Sequence, residues 1–168
     1  MRLPPPALQR ITPENASVFK TVRLTALHDS PSAFGGTYAR ESELSDADWL
    51  KRAADWGGER SVGYLAMDTG SGCGIVAAFL DERDPLTAHL ISMWVAPTRR
   101  RAGIGRSLIA AIDAWARTRG AHALRLMVTS SNQSAIEFYK RNGFSMTGNT
   151  KSYPNDPALM EYEMSRAI

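Results

Sequence analysis

The chain has 168 residues, of which 43% are hydrophobic and 22% charged, and its formal net charge is +3. These values predict one soluble globular domain over residues 1–168, and they give no indication of a nucleic-acid partner or a membrane span. Cys73 is the only cysteine, which excludes an internal disulfide and a cysteine-based zinc site. The three histidines lie far apart, so we expect no metal site. The first residues lack the apolar stretch of a signal peptide, so we expect a cytoplasmic protein.

The first third of the chain predicts a short strand and two helices. Residues 7–11 form the candidate strand, and Pro13 suits the first position of a helix that runs to about Leu27. A second helix starts near Ser45, where Asp48 stands three residues later as the partner of a capping box. The segment between the two helices begins with a run rich in serine, proline and glycine, which predicts a loop.

The middle of the chain predicts a hairpin and then a strand–helix–strand unit. Apolar runs at 61–68 and 74–81 are joined by the glycine-rich string TGSGCG, which is a hairpin signal. A strand at 88–97, a helix at 104–119 and a strand at 122–129 follow. Because a crossover helix joins these two strands, we expect them to lie parallel in one sheet.

The last third predicts one more helix and a final antiparallel pair of strands. The helix lies within residues 132–144 and ends at an Asn-Gly pair, and the strands lie at 144–150 and 158–167. The order β α α β β β α β α β β predicts the fold class α+β, with a single mixed, mostly antiparallel central sheet and helices on both of its faces. No repeat or linker marks a second domain.

The strand at 88–97 has an irregular alternation of apolar residues. Leu90, Met93 and Val95 carry the pattern, and the step from 90 to 93 is three residues instead of two. One inserted residue is the signature of a β-bulge, so we expect a bulge in this central strand that splays it from its neighbour. A splayed strand leaves backbone N–H and C=O groups free to pair with an extended ligand.

The string RRRAGIGRSL, residues 99–108, places arginines and glycines where this strand gives way to a helix. The first N–H groups of a helix have no internal acceptors and attract anions, and Gly103 and Gly105 let a phosphate approach the backbone. The string is not a mononucleotide P-loop, and Leu108 occupies the place of the third glycine of a dinucleotide fingerprint. These residues alone are compatible with a phosphate-binding turn and with a solvated basic turn that caps the helix.

Coenzyme A combines the pyrophosphate and the amide-bearing arm that such a turn and such a strand accept. The segment LISMWVAPTRRRAGIGRSLI resembles the signature of the GNAT superfamily of acyl-CoA N-acyltransferases, whose pattern Gln/Arg-x-x-Gly-x-Gly/Ala is matched by residues 100–105. The segment NQSAIEFYKRNGF is similar to a second family motif, and VRLTALHDSPSAF resembles the acceptor-side segment of many bacterial members. Arg101 stands where many members have glycine, which is tolerable for a residue that contributes only its backbone N–H.

The resemblance implies a set of residues for acetyl-CoA, which serves as co-substrate. Backbone amides of residues 101–106 hold the pyrophosphate, and main-chain groups of residues 93–95 pair with the pantetheine arm and polarise the thioester carbonyl. Asn132 contacts the coenzyme arm or only caps its helix, and Tyr139 lies near the sulfur or is only a core aromatic. The full set for coenzyme binding is Met93, Trp94, Val95, Arg100, Arg101, Ala102, Gly103, Ile104, Gly105, Arg106, Asn132 and Tyr139.

The activity that the resemblance implies is transfer of an acetyl group to a primary amine by direct attack in a ternary complex. Tyr139 is the candidate acid for the leaving thiolate, and a second group must take the proton of the attacking amine. We favour Glu82 and then Glu41 for that role. Other nearby candidates are Glu43, Asp81 and His89.

A non-catalytic acetyl-CoA sensor or partner subunit on the same fold is the alternative function. The acceptor is a small-molecule or peptide amine, and the loops 28–44 and 149–158 are expected to shape its pocket. Four acids in these loops would suit a cationic acceptor: Asp29, Glu41, Glu43 and Asp156. A homodimer is a further expectation, since dimers are common among similar proteins.

Overall fold

A computed structural model describes residues 4–168. Residues 1–3, which begin the segment in which we expect no signal peptide, lie outside the described residues. The strands are β1 (Ala7–Arg10), β2 (Ser61–Asp68), β3 (Ser71–Leu80), β4 (Thr87–Val95), β5 (Ala123–Thr129), β6 (Ser145–Tyr153) and β7 (Asp156–Ala167). The α-helices are α1 (Ala16–Asp29), α2 (Tyr38–Glu41), α3 (Asp46–Asp55), α4 (Ile104–Thr118) and α5 (Gln133–Arg141). None of these helices is both long and apolar enough to cross a bilayer.

The expected order of strands and helices is confirmed, with one short helix added. Helix α2 lies inside the segment that we expected to be a loop, and the Thr37 side chain caps it by accepting a hydrogen bond from Arg40 N at 3.3 Å. The expected capping box of α3 is present, since Ser45 N donates to Asp48 Oδ2 at 3.0 Å and Asp48 N donates to Ser45 Oγ at 3.1 Å. The expectation of a loop at 149–158 is wrong, because most of it belongs to the β6–β7 hairpin.

All seven strands form one sheet in the order β1-β2-β3-β4-β5-β7-β6. Every neighbouring pair is antiparallel except β4 and β5, which lie parallel as expected for strands joined through α4. Because α4 follows β4 and α5 follows β5, both helices begin at the same edge of the sheet. Ligands of mixed and parallel sheets bind at that edge, beyond the carboxyl ends of parallel strands.

Helices cover both faces of the sheet, but not equally. Helices α4 and α5 bury one face, where Leu108 and Ile112 are fully enclosed. Helices α1 and α3 bury the other face over β2, β3 and the end of β4, where Phe19 and Trp49 pack edge to face at 5.3 Å. The second face stays open over β5 and β7, and this open half forms the cleft described below.

Cys73 is a buried thiol on β3, within the core that α4 covers. Burial raises the pKa of this thiol above its usual value. The backbone carbonyl oxygen of Cys73 accepts a hydrogen bond from Ala96 N at 2.8 Å, at the point where β4 ends. The thiol therefore lies beneath the strand pair that carries the bulge.

Candidate active site

The expected bulge in β4 is present. Ile75 of β3 pairs with Trp94, whereas Ala77 pairs with Ile91, so two residues of β4 face the single residue between them on β3. Ser92, one of these two, has a left-handed backbone with φ of +58°, which a non-glycine residue rarely adopts. Leu90, Met93 and Val95 all pack towards the core under α4, as the three-residue step predicts.

The bulge coincides with a gap between the parallel strands β4 and β5. Their pairing is limited to three positions and ends at His89 opposite Arg125. The rest of β4, residues 90–95, has no strand on that side among residues 4–168. One backbone group in this stretch has a side-chain partner, since the Val95 carbonyl accepts a hydrogen bond from Arg100 Nε at 2.9 Å. The gap therefore offers backbone donors and acceptors to an extended ligand.

The turn before α4 has the backbone of an anion-binding site. Gly103 has φ of +82° and Arg101 has φ of +63°, so two residues of this turn lie in the left-handed region. The first α-helical hydrogen bond of α4 runs from Ser107 N to Gly103 O at 3.0 Å, which leaves the N–H groups of residues 104–106 without helical acceptors. A Cβ atom on Gly103 would meet no atom within 4 Å, so the space beside this residue is open. The turn therefore has N–H donors and open space, which are the features that an anion requires.

The arginines of this segment divide into two pairs. Arg99 forms an ion pair with Asp68, and Arg100 forms one with Asp29 at 2.8 Å, so both are already engaged. Arg101 and Arg106 are exposed and are available to an anion. Of the remaining expected residues of the turn, Ala102 is exposed and Ile104 is buried in the core. Arg100 therefore supports the turn through its side chain, whereas the side chains of Arg101 and Arg106 are exposed.

Asp29, at the end of α1, connects the turn to β4. Its Oδ2 accepts hydrogen bonds from Trp94 Nε1 at 2.9 Å, from Ser30 Oγ at 2.7 Å and from Arg100. The Trp94 hydrogen bond is the largest of the effects that lower the pKa of Asp29 below its usual value. Because this carboxylate is committed to the scaffold, it does not serve as a free acid for a cationic acceptor.

Helix α5 brings two of the expected coenzyme residues beside α4. Asn132 caps the helix, since its Oδ1 accepts a hydrogen bond from Ala135 N at 3.2 Å, and its side-chain amide N–H groups have no partner in the described chain. The two helices are in close contact, because a Cβ on Gly105 would lie 2.8 Å from Phe138 Cζ. Tyr139 is 8% exposed, its hydroxyl has no protein hydrogen-bond partner among residues 4–168, and burial raises its pKa.

A cleft of about 660 Å³ lies on the face of the sheet that α4 and α5 do not cover, where β4 and β5 separate. Its floor includes His89 of β4, Arg125 of β5 and Glu163 of β7, and its wall includes Phe34 of the α1–α2 connection. Residues 149–151 of β6 close the far side. No group of three or more His, Cys, Asp or Glu side chains in the part of the chain described here is arranged to bind a metal ion.

His89 and Asp81 form a hydrogen-bonded pair at the edge of this cleft. His89 Nε2 lies 2.7 Å from Asp81 Oδ2, and the His89 ring stacks on Phe79 with centroids 5.0 Å apart. The hydrogen bond with His89 is the main cause that lowers the pKa of Asp81 to about 2, so the carboxylate is ionised at neutral pH. An ionised carboxylate only accepts, so Nε2 of His89 is the donor in this hydrogen bond, and Nδ1 has no hydrogen-bond partner among residues 4–168.

The two expected bases have different surroundings. Glu82 is exposed in the turn after β3 and does not line the cleft. Glu41 is buried at 4% exposure and its carboxylate binds Arg23, with both oxygens 3.2 Å from guanidinium nitrogens, and also Arg52. Arg23 in turn donates to Ser92 Oγ at 3.0 Å. Glu41 therefore supports the bulge from beneath, and its carboxylate is not free in the cleft.

The sequence predicts the direction of His89 and Ile91 in the cleft, but it does not predict the positions of Arg125 and Glu163. His89 and Ile91 stand on the face of β4 opposite to Leu90, so alternation alone directs His89 away from the α4 core. Arg125 and Glu163 carry no motif, and only the strand order that places β7 beside β5 brings them to the same floor.

Comparison with known proteins gives the same fold. A GNAT acetyltransferase from Streptococcus pneumoniae has a TM-score of 0.78 at 20% identity, over 96% of this chain and 98% of that one. The N-acetyltransferase PaiA from Thermoplasma acidophilum, solved in complex with coenzyme A, has a TM-score of 0.76 at 14% identity, over 96% and 98% of the two chains.

Sequence similarity is local and lies in shorter segments. A streptothricin acetyltransferase from Streptomyces lavendulae is 48% identical over 54 residues, which cover 32% of this chain and 29% of that protein. The chain matches about a third of the length of its curated relatives. The family model of the acetyltransferase (GNAT) family matches residues 24–144, which include the bulge, the glycine turn and α5. This match covers more than half of the sequence, and the chain belongs to the acetyltransferase (GNAT) family.

Proposed function

We propose that the chain transfers an acetyl group from acetyl-CoA to a primary amine by direct attack within a ternary complex. The observation that carries the proposal is the gap between β4 and β5, which opens after His89 and Arg125. An anion-binding turn lies at the α4 side of this gap, and a charged cleft lies on the opposite face. Two substrates that approach from opposite faces meet in such a gap in the orientation that direct transfer needs.

The residues on the α4 side bind and orient the donor in this proposal. The N–H groups of residues 101–106 bind the pyrophosphate, with Arg101 and Arg106 adding charge. Asn132 offers its free amide to the coenzyme arm, and the backbone of residues 93–95, which pairs with no strand on the β5 side, binds the same arm. When bound, acetyl-CoA supplies a thioester carbonyl, and an N–H of the bulged stretch donates to its oxygen as negative charge develops there.

Tyr139 donates a hydrogen bond to the departing sulfur. Its ordinary pKa of 10.0 is raised by burial, whereas a free thiol has a pKa of about 8.5. Complete proton transfer from the phenol to the thiolate is therefore unfavourable, and the hydrogen bond is the contribution that we assign to it. A neutral donor in a dry site stabilises developing charge without giving up its proton.

We propose His89, oriented by Asp81, as the proton acceptor in place of Glu82 and Glu41. An amine such as that of lysine has a pKa of about 10.4, so it must lose a proton before it attacks. His89 lines the cleft and its Nδ1 has no partner among the described residues, whereas Glu82 lies outside the cleft and Glu41 is bound to two arginines. Four residues of strand, one of them the bulge insertion, separate His89 from Met93 by roughly 10 Å, so we assign the proton transfer to ordered water between them.

The test is an amine panel in which release of free coenzyme A thiol from acetyl-CoA is followed. We expect turnover with at least one primary amine, intersecting double-reciprocal plots that indicate a ternary complex, and a higher melting temperature with acetyl-CoA alone. A folded protein whose melting temperature does not change at millimolar acetyl-CoA would contradict the whole proposal. Binding without turnover on any amine would favour the sensor function instead.

A further inference from the structure

We propose that the acceptor carries a carboxylate as well as its amine, and that Arg125 binds this carboxylate. The inference rests on the proposed function, because it names the class of acceptor that the cleft selects. It starts from the charged side chains of the cleft and from the partner that each of them has within the described residues. Six charged or titratable residues line the cleft: Arg23, His89, Arg125, Lys151, Glu161 and Glu163.

The basic side chains of the cleft other than Arg125 have anionic partners. Arg23 forms two hydrogen bonds with the buried Glu41 carboxylate, and Lys151 Nζ lies 3.4 Å from Glu161 Oε2. His89 is bound to Asp81 at 2.7 Å. Neutralised in this way, these groups offer little net attraction to an anionic substrate.

The acidic side chains of the floor face the β6 hairpin. Glu161 has its lysine partner, and Glu163 Oε1 accepts hydrogen bonds from Thr147 Oγ1 at 2.9 Å and from Asn149 Nδ2 at 3.1 Å. These contacts hold both carboxylates towards the edge of the sheet. They therefore leave the position beside Arg125 free of a protein anion.

The Arg125 side chain has no ion pair and no hydrogen bond within residues 4–168, and its Nε is buried without an acceptor. A guanidinium stays charged at every physiological pH, so its partly buried and unpaired state is unfavourable until an anion arrives. A carboxylate matches its planar fork through two parallel N–H···O bonds. Arg125 is thus the basic side chain of the cleft that has no anionic partner among residues 4–168.

The position of Arg125 also sets the size of the acceptor. Arg125 is opposite His89, and four residues further along β4 the backbone of Met93 faces the thioester. Because one of these four residues is the bulge insertion, the stretch spans roughly 10 Å, part of which the long arginine side chain bridges. The amine and the carboxylate of the acceptor are therefore separated by several carbon atoms, as in a longer ω-amino acid and not as in glycine.

The experiment compares 5-aminopentanoate with its carboxamide, which has the same amine and no charge at the other end. We expect the wild type to acetylate the acid with at least about 10-fold higher kcat/KM. Arg125→Gln should raise KM for the acid by about 10- to 100-fold, because charge-assisted hydrogen bonds are lost, and leave the carboxamide and acetyl-CoA values unchanged. Arg125→Lys should keep part of the preference, and Arg119→Gln, at an exposed arginine at the end of α4, should keep all of it.

Three results would overturn the proposal: equal rates for acid and carboxamide in the wild type, an equal loss for both in Arg125→Gln, or a raised KM for acetyl-CoA in that variant. If neither compound is turned over, calorimetric binding of the two compounds to the protein with coenzyme A decides the same question. Binding of the acid that Arg125→Gln abolishes supports the proposal, and no binding of the acid refutes it. The melting temperature with acetyl-CoA, measured separately, shows whether the proposed function itself has failed.

Discussion

On the α4 side of the gap between β4 and β5, the groups to which our proposal assigns the coenzyme are mostly backbone amides of one continuous segment, residues 101–106. On the opposite side, the cleft is lined by residues that come from α1, the α1–α2 connection and strands β3 to β7. The first region has open space beside Gly103, and in the second most charged side chains have a protein partner. One region is made of main chain and the other of side chains.

This difference has a chemical consequence. Backbone amides do not depend on residue type, so a donor bound by them is common to many sequences that preserve the turn. Side chains from separate strands change one at a time without affecting the turn, so the acceptor is specific to the individual chain. Substitutions on the two sides should therefore affect the kinetic constants of different substrates.

The largest effect is expected for Gly103→Val, which tests the donor side. A valine at φ of +82° is strained, and its side chain enters the open space where we place the pyrophosphate. Loss of about three charge-assisted hydrogen bonds, each about 1.5 kcal/mol, predicts a roughly 1000-fold rise in Kd for coenzyme A by calorimetry. Gly148→Val is the matched control, because Gly148 has φ of +92°, is equally open and lies on β6. If both variants lose binding alike, strain and not occlusion is the cause.

Next in size is Tyr139→Phe, which tests whether the donor side contributes a side chain to the chemistry. The hydroxyl has no hydrogen-bond partner in the described protein, so its removal should not change the melting temperature. We predict a kcat lower by about 10- to 1000-fold, with the affinity for acetyl-CoA unchanged, because the hydrogen bond forms as the sulfur leaves. Tyr64→Phe, in the same core but on β2, should have wild-type kcat. A near-normal kcat in Tyr139→Phe would show that Tyr139 only packs in the core.

His89→Gln examines the cleft side. Glutamine keeps a polar side chain of similar length but cannot take a proton, so we expect kcat/KM for the amine to fall by about 100-fold near neutral pH. The Kd for acetyl-CoA, which binds on the other side of the gap, should not change. His122→Gln, at an exposed histidine before β5, is the control. An unchanged rate profile between pH 6 and 9 in His89→Gln would eliminate the residue as the base.

The smallest effect concerns the stability that Asp81 provides, and it has a definite pH dependence. The pKa of Asp81 is about 2, below its ordinary 3.8, so the folded state favours the carboxylate. Its contribution to stability is complete above about pH 3.8 and is lost as the pH falls through about 2. The urea midpoint of Asp81→Asn should lie below that of the wild type at pH 6, and the difference should shrink towards pH 2.5. For Glu82→Gln, at the exposed neighbour, we expect no such trend, and a constant difference for Asp81→Asn would contradict the assignment.

The same division explains how much the sequence predicts. The turn around Gly103 and the cap at Asn132 lie within continuous segments whose residue types directly reflect backbone conformation, and both were located correctly. The bulge at Ser92 was found for the same reason, since an inserted residue changes the local alternation of apolar side chains.

The cleft side depends on contacts between residues far apart in the chain. The burial of Glu41 follows from Arg23, 18 residues earlier, and from Arg52, 11 residues later, and neither spacing forms a local motif. Arg125 becomes a neighbour of Glu163 only through the insertion of β7 between β5 and β6. Pairing that arises from strand order and not from periodicity cannot be deduced from one sequence, so the acceptor side was identified only as a region.

Cys73 gives the protein a built-in reporter of local opening. The thiol is buried with a raised pKa, so a thiol reagent reacts with it when the core around the start of β3, next to its contact with Ala96 at the end of β4, opens. The labelling rate therefore reports local opening beside the strand pair that carries the bulge. Since coenzyme A occupies that region in our proposal, a non-hydrolysable acyl-CoA without a free thiol should slow the labelling, and the ratio of the two rates gives the energetic coupling between ligand and sheet.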